Sequence, residues 1–280
     1  MLRLAVRVRR REAELVLAEL LELAPSGVEE VDVDTETVEF AVYGAPGEIP
    51  ELPALRAVAA GALVEVTSTE VADDWAERWR EFHRPLILGD RLSVRPPWEP
   101  PAATGLDIVI DPGRAFGTGA HATTRLCLEL LLDLPVPESP GAAGPGVLDL
   151  GCGSGVLGIT AARLGWGRVM ALDNDPLSVE ATTANASVNG VADLLDVRRF
   201  DLLGEPVPPA RLALGNLLAP LLRGWCTALR SGVGSVPSTL IASGLLVDEA
   251  DAITAAFAEL GMSERARRTR GDWAALLLRR

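Results

Sequence analysis

The first strand-like stretch, LRLAVRV at residues 2–8, sets Leu2, Leu4, Val6 and Val8 against Arg3 and Arg7. A period of two predicts a half-buried strand. Residues 12–24 (EAELVLAELLELA) carry apolar positions at helical spacing. Residues 27–34 (GVEEVDVD) and 37–44 (TVEFAVYG) read as two strands joined by a short polar turn. A helical 49–61 (IPELPALRAVAAG) and a strand-like 63–71 (LVEVTSTEV) follow. The order β-α-β-β-α-β is that of the ferredoxin-like split unit, so a small α+β domain is expected over residues 1–69.

Residues 70–104 are expected to be a linker with a helix. In DDWAERWREFHRP, Trp75, Trp79 and Phe82 recur at spacings of four and three, which makes one helical face and a packing stripe between domains. His83 beside them reads as structural. The Pro-rich RPPWEPPAATG then leads to a strand-like LDIVI at 106–110, and PVPESPGAAGPG (135–146) is a second flexible segment. From residue 147 continuous apolar strands (VLDL, RVMAL, later LLDVRRF, RLALGNL and STLIASG) alternate with helical runs. That alternation predicts a parallel α/β sheet covered on both faces, in a domain spanning 105–280. RARRTRGDWAALLLRR reads as a closing hairpin turning at Gly271-Asp272.

Composition narrows the class. The 280 residues are 48% hydrophobic and 23% charged, with net charge −13, the balance of a globular protein. No apolar run reaches the ~18–20 residues of a membrane span, and Cys127, Cys152 and Cys226 stand in no metal-ligand or disulfide pattern. A cytoplasmic monomer without metal is the expectation. The acidity disfavours nucleic acid, and suits a cationic substrate or cofactor as well as plain solubility. Residues 1–66 hold 6 Arg against 13 Asp and Glu, about half of the net charge. All 26 basic residues are Arg.

The chemistry gathers after residue 110. In VLDLGCGSG (147–155), Gly151, Gly153 and Gly155 follow a strand and precede a helix, where backbone can approach a ligand closely. A dinucleotide fingerprint needs a glycine five positions after the first, and that position is Val156. A nucleoside ligand without phosphate, carrying positive charge, fits better. Asp173 ends the second strand 22 residues after Gly151 and can take both ribose hydroxyls, while Asp175 before Pro176 reads as a helix cap. Asp201 can border an adenine or belong to a turn. Asn216, in GNLLAP, ends the fourth strand; its amide oxygen can accept from an amine, and the alternative is a helix cap. The loop DPGRAFGTGAHATT (111–124) offers a phosphate cradle, a catalytic loop around His121, or a turn. On the residues alone these three readings stay open.

DPGRAFGTGAHATT, VLDLGCGSG, ALDNDP and GNLLAP, in this order, resemble the bacterial methyltransferases of large-subunit ribosomal protein eleven. The glycine loop alone marks only the broad S-adenosylmethionine-dependent class; AFGTGAHATT with GNLLAP is more specific, and the likeness covers essentially the whole chain. It implies a Rossmann-like class I methyltransferase domain behind a small domain that docks the ribosomal protein. It implies methyl transfer to lysine ε-amines and to the N-terminal α-amine. Thr124, Gly151, Asp173 and Asn216 are the cofactor contacts it implies, joined by Gly153 of the same loop; no catalytic residue is assigned. With that cofactor implied, residues 111–124 become a glycine-hinged flap with Phe116 and Thr124 as contacts and His121 as scaffold. The chain departs from the family at Ala122, where proline is usual, and at Leu217, where isoleucine is commoner. The rival readings are an amine methyltransferase acting on another protein, a nucleotide-dependent oxidoreductase, and a non-catalytic module that holds basic ribosomal proteins.

Overall fold

The computed structural model describes residues 2–13, 16–17, 20, 28–34, 36–44, 63–70, 84–112, 121–137 and 145–280. Of these, residues 2–70 belong to one unit and 84–280 to a second, larger one. The expected aromatic stripe of Trp75, Trp79 and Phe82, with His83, lies outside the described residues. So do Phe116 and the centre of the loop around it.

In the first unit, β1 (Leu2–Arg9), β2 (Glu29–Asp32), β3 (Thr37–Gly44) and β4 (Leu63–Glu70) form an antiparallel sheet in the order β2-β3-β1-β4. The period-two pattern sorts its faces. Leu4, Val6, Val8, Val38 and Phe40 are buried, together with helical Ala13, Val16 and Leu20. Arg3 and Arg7 both bond Glu39, at 2.6 and 3.2 Å, and this neighbourhood of guanidinium groups holds the Glu39 carboxyl below its ordinary range against the effect of burial. The second helix expected in this unit falls at 49–61, outside the described residues.

The larger unit opens with β5 (Leu86–Leu88), β6 (Leu92–Arg95) and β7 (Leu106–Val109), with β5–β6 antiparallel and β6–β7 parallel. Residues 86–95, expected within the linker, are therefore strands that fold with the larger unit. Leu86, Leu88, Leu92 and Val94 join the same core as the helix α1 (Ala122–Asp133). An Arg95–Asp107 ion pair at 2.9 Å, with Ser93 donating to Asp107, ties β6 to β7.

The main sheet has seven strands: β8 (Val147–Leu150), β9 (Val169–Asp173), β10 (Leu195–Arg199), β11 (Leu212–Asn216), β12 (Thr239–Leu246), β13 (Ser263–Arg270) and β14 (Trp273–Arg279). Their order is β10-β9-β8-β11-β12-β14-β13, so β10 and β13 are the margins among the described residues. The first five run parallel and the closing hairpin antiparallel. Helices α2 (Val156–Arg163), α3 (Pro176–Val188), α4 (Ala219–Arg230) and α5 (Ala250–Ala258) complete the unit. One core takes α1 and α2 on one sheet face; the other takes α4 and α5, with Trp225 tilted against Phe257 at 5.7 Å. The strand order reverses direction between β8 and β11. In open parallel sheets, ligands bind outside the strand carboxyl ends at such a point. No helix among the described residues is long and apolar enough to cross a membrane.

Candidate functional site

β8 is buried along all four residues and stops at Gly151. There the chain takes positive φ three times, at Gly151 (65°), Gly153 (54°) and Gly155 (82°), a conformation L-residues adopt only under strain. The loop is pinned from several sides. The N–H groups of Gly151 and Cys152 both donate to the Leu172 carbonyl, at 2.8 and 3.0 Å. Gly153 N–H donates to Asp173 Oδ2 at 2.9 Å, and Gly155 N–H to the Cys152 carbonyl at 2.7 Å.

This pinning decides between two ligand classes. A diphosphate cradle works by aiming unpaired backbone N–H groups at the phosphate oxygens. Here the N–H groups of Gly151, Cys152, Gly153 and Gly155 are already bonded within the protein. The loop therefore offers shape rather than donors, with Gly151 its exposed residue, which agrees with the missing glycine at Val156.

Asp173 lies beside the loop at the end of β9. Besides Gly153 N–H on Oδ2, it accepts the Asp175 N–H on Oδ1 at 3.0 Å, so the carboxylate is fixed in orientation. Burial raises its pKa, and the backbone bonds partly offset that. Asp175 caps α3 through Leu177 N–H at 3.0 Å, with Pro176 at the first helical position. Asp201 takes the turn alternative: it is exposed, and its carboxylate accepts Leu203 N–H at 3.0 Å.

Across the switch point, Asn216 ends β11. Its Nδ2 donates to Thr124 Oγ1 at 3.3 Å, joining two residues 92 positions apart in sequence. That contact leaves Asn216 Oδ1 as the acceptor of the pair. Thr124 is fully buried in the first turn of α1, and Ser243, beside Asn216 on β12, donates to the Thr123 carbonyl at 3.2 Å. His121 is the N-cap of α1: its Nδ1 contacts Thr123 Oγ1 at 2.8 Å, and its ring meets Trp273 edge-on at 4.9 Å. Burial lowers its pKa and favours the neutral ring. Ala122 is the first helical residue, a position where proline is readily accommodated, so the departure there changes little but backbone stiffness. The expected residues thus fall into two contacts, Gly153 with Asp173 and Thr124 with Asn216, with Gly151 at the end of β8 between their strands.

Several polar groups to which the sequence gives no role lie beneath the site, Asp149 being legible only as an acid before the glycine loop. Asp149, inside β8, is 1% exposed, and its Oδ2 accepts Gly158 N–H at 2.8 Å, capping the start of α2 from below. Gly158 permits this, because a Cβ there would come within 2.7 Å of that oxygen. Burial raises the Asp149 pKa to about 7; the Gly158 bond opposes the rise and the Asp173 charge adds to it. Thr182 and Asn185 on α3, and Asn189 one residue past its end, were missed. Their spacing of three and four along one helical face was the available signal.

Residues 48–280 match the family model described as ribosomal protein L11 methyltransferase (PrmA). The ribosomal protein L11 methyltransferase of Heliobacterium modesticaldum is 40% identical over 213 residues, 74% of this chain and 64% of that protein. That of Pelotomaculum thermopropionicum is 40% identical over 215 residues, 76% and 68% of the two chains. The chain thus spans about two thirds of the curated relatives it matches. Among solved structures, the ribosomal protein L11 methylase of Lactobacillus delbrueckii subsp. bulgaricus superposes with a TM-score of 0.58 at 29% identity. That superposition covers 70% of this chain and 98% of the other.

Proposed function

The chain belongs to the ribosomal protein L11 methyltransferase (PrmA) family, and on that premise we propose that it transfers methyl groups from S-adenosylmethionine to ribosomal protein L11. The accepting groups are lysine ε-amines and the N-terminal α-amine. The observation that carries the reading is the pairing of Asn216 with Thr124 across the switch point from Asp173 and a glycine loop whose N–H groups are already bonded. A ligand with a ribose diol and no phosphate suits this donor set: the Asp173 carboxylate accepts the hydroxyls, and the bare backbone of Gly151 and Gly153 admits the nucleoside.

When bound, S-adenosylmethionine supplies an electrophilic methyl group. The chain's own work is to present a neutral amine to it in line. Lysine and α-amino groups have ordinary pKa values of about 10.4 and about 8, so the incoming amine loses a proton before it reacts. Withdrawal from water into the crevice lowers that pKa. Asn216 Oδ1 accepts an N–H of the neutral amine and turns its lone pair toward the methyl group, while Thr124 keeps the amide from rotating. His121 is engaged as a helix cap against Trp273 and has no part in proton removal. The acidic N-terminal residues 1–69 hold the basic ribosomal protein, residues 105–280 perform the transfer, and the enzyme works as a cytoplasmic monomer.

Unmethylated ribosomal proteins incubated with labelled S-adenosylmethionine, then analysed by mass spectrometry, test the proposal. Label in whole methyl increments on L11, at lysines and the N-terminus, is expected. Label on a different protein would overturn the substrate assignment, and label on none would overturn the activity.

A further inference from the structure

A helix packed on a parallel sheet normally buries an apolar stripe. The inward face of α3 is mostly polar instead: beside Ala186 it buries Ser178, Thr182 and Asn185, and the buried Asn189 follows one residue past the helix end. These positions are spaced four, three and four apart and so share one face. Buried polar side chains persist where they have partners, and the partners here are unusual. Thr182 Oγ1 donates to the Gly153 carbonyl at 2.9 Å, and Asn185 Nδ2 donates to the Ser154 carbonyl at 2.9 Å. Two consecutive carbonyls of the glycine loop are therefore held from α3. The other end of the Asn185 amide accepts the Asp111 N–H at 3.0 Å, just beyond β7. Asn189 serves only the preceding part of that chain, accepting Val109 N–H at 2.9 Å and donating to its carbonyl at 2.6 Å, besides the Asn185 carbonyl.

We infer that Thr182 and Asn185 are positioning residues that lock the glycine loop and the end of the β7 segment into one unit and thereby set the affinity for the methyl donor. The inference rests on the reading of the crevice as an S-adenosylmethionine site. Gly153 has no side chain to fix its peptide planes; the same residue whose carbonyl Thr182 holds donates its N–H to Asp173. Releasing the carbonyl frees the Gly153–Ser154 peptide, and through the soft dihedrals of Gly153 this loosens the adjoining Cys152–Gly153 peptide, whose N–H holds the carboxylate that receives the ribose. Asn185 adds a second lock and carries any movement of Asp111 directly to Ser154.

The test uses four variants of the full chain: Thr182→Val, which keeps shape and loses the hydroxyl; Thr182→Ser, which keeps the hydroxyl; Asn185→Ala; and Asn189→Ala, which releases β7 without touching the glycine loop. Binding of S-adenosylhomocysteine is measured by calorimetry, and amide hydrogen exchange is measured on the free protein. Thr182→Val and Asn185→Ala should each weaken binding roughly tenfold, the equivalent of one lost hydrogen bond, and raise KM for the methyl donor more than they lower kcat. Thr182→Ser should restore binding, and Asn189→Ala should leave it within about twofold. Exchange should quicken at residues 153–156 in both weakened variants, and at Asp111 only in Asn185→Ala. Wild-type affinity in Thr182→Val and Asn185→Ala, or a Thr182→Ser variant as weak as Thr182→Val, overturns the inference. A wild type that binds no S-adenosylhomocysteine rejects the cofactor reading instead, and unchanged protection at 153–156 in both variants then overturns the lock by itself. If Asn185→Ala does not fold, the Thr182 pair decides.

Discussion

Replacing Asp149 by Asn should make the protein less sensitive to alkaline pH. The carboxyl lies within β8, wholly buried, with a pKa moved from 3.8 to about 7 by burial. The sign follows from proton binding: the folded state holds this proton more tightly than the unfolded chain. Its contribution to stability is complete below pH 4 and is lost as pH rises through 7. At 1.36 kcal/mol per pH unit, the whole loss is roughly 4 kcal/mol, more than half of which falls between pH 5 and pH 8. The carboxyls of Asp107, Asp133 and Glu264, held low by arginine partners, titrate below this window. His121, buried and shifted downward, works in the opposite direction, since its contribution is lost as pH falls below 6.5. The informative quantity is therefore the difference between wild type and Asp149→Asn. Asparagine keeps an oxygen for Gly158 N–H and removes the charge. Urea denaturation at pH 5, 6, 7 and 8 should show the variant gaining roughly 2 to 3 kcal/mol on the wild type across the series. Parallel pH profiles for the two proteins would refute the reasoning.

Gly151→Ala should both destabilise and disable the site. Its φ of 65° strains any L-residue by about 1 kcal/mol, and a Cβ would lie 2.4 Å from Leu217 Cδ2. Thermal melting and S-adenosylhomocysteine calorimetry should both register the change. Asn216→Ala should lower turnover on the order of 100-fold with only modest loss of donor affinity, and near-normal kcat would remove Asn216 from the reacting centre. His121→Asn should retain turnover, because asparagine also caps a helix, whereas His121→Ala should lose about 1 kcal/mol of stability. A fall in kcat common to both His121 variants, with melting unchanged, would make it a base after all.

The parallel part of the large sheet was readable because buried strands are continuous apolar runs that end in glycine or a cap. VLDL and RVMAL fall at or within one residue of their observed bounds, and the closing hairpin turns at Gly271-Asp272 as read, its first strand starting two residues earlier, at Ser263. β5 and β6 were not readable because the proline-rich 95–101 dominated the segment, although Gly89-Asp90 between Leu88 and Leu92 is a hairpin signal. Their partner, β7, is separated from β6 by ten residues, a pairing no local pattern reports. The site divides the same way. Residues at strand ends, Asp173 and Asn216, could be placed by topology. Thr182 and Asn185 looked like solvent-facing residues by type, since what they bury against is backbone, which hydrophobic periodicity does not register. Asp149 was visible only as an acid before a glycine loop; its depth and its bond to Gly158 come from the packing of α2.

Both margins of the seven-stranded sheet carry charge. β10 contributes Asp196, Arg198 and Arg199, and β13 contributes Glu264 and four arginines in eight residues. An open strand edge is a template on which another molecule can add a strand, and charged side chains are the usual guard. Two copies meeting at β13 would bring Arg265 and Arg270 together and strip water from Arg267 and Arg268 and their partners Asp251, Glu264, Glu129 and Asp133, so growth of the sheet from one molecule to the next is opposed at each end. At ~1 M salt, where the Debye length is about 3 Å, the repulsion fades while the dehydration cost stays, so the guard against fibre-like association weakens under such conditions without vanishing.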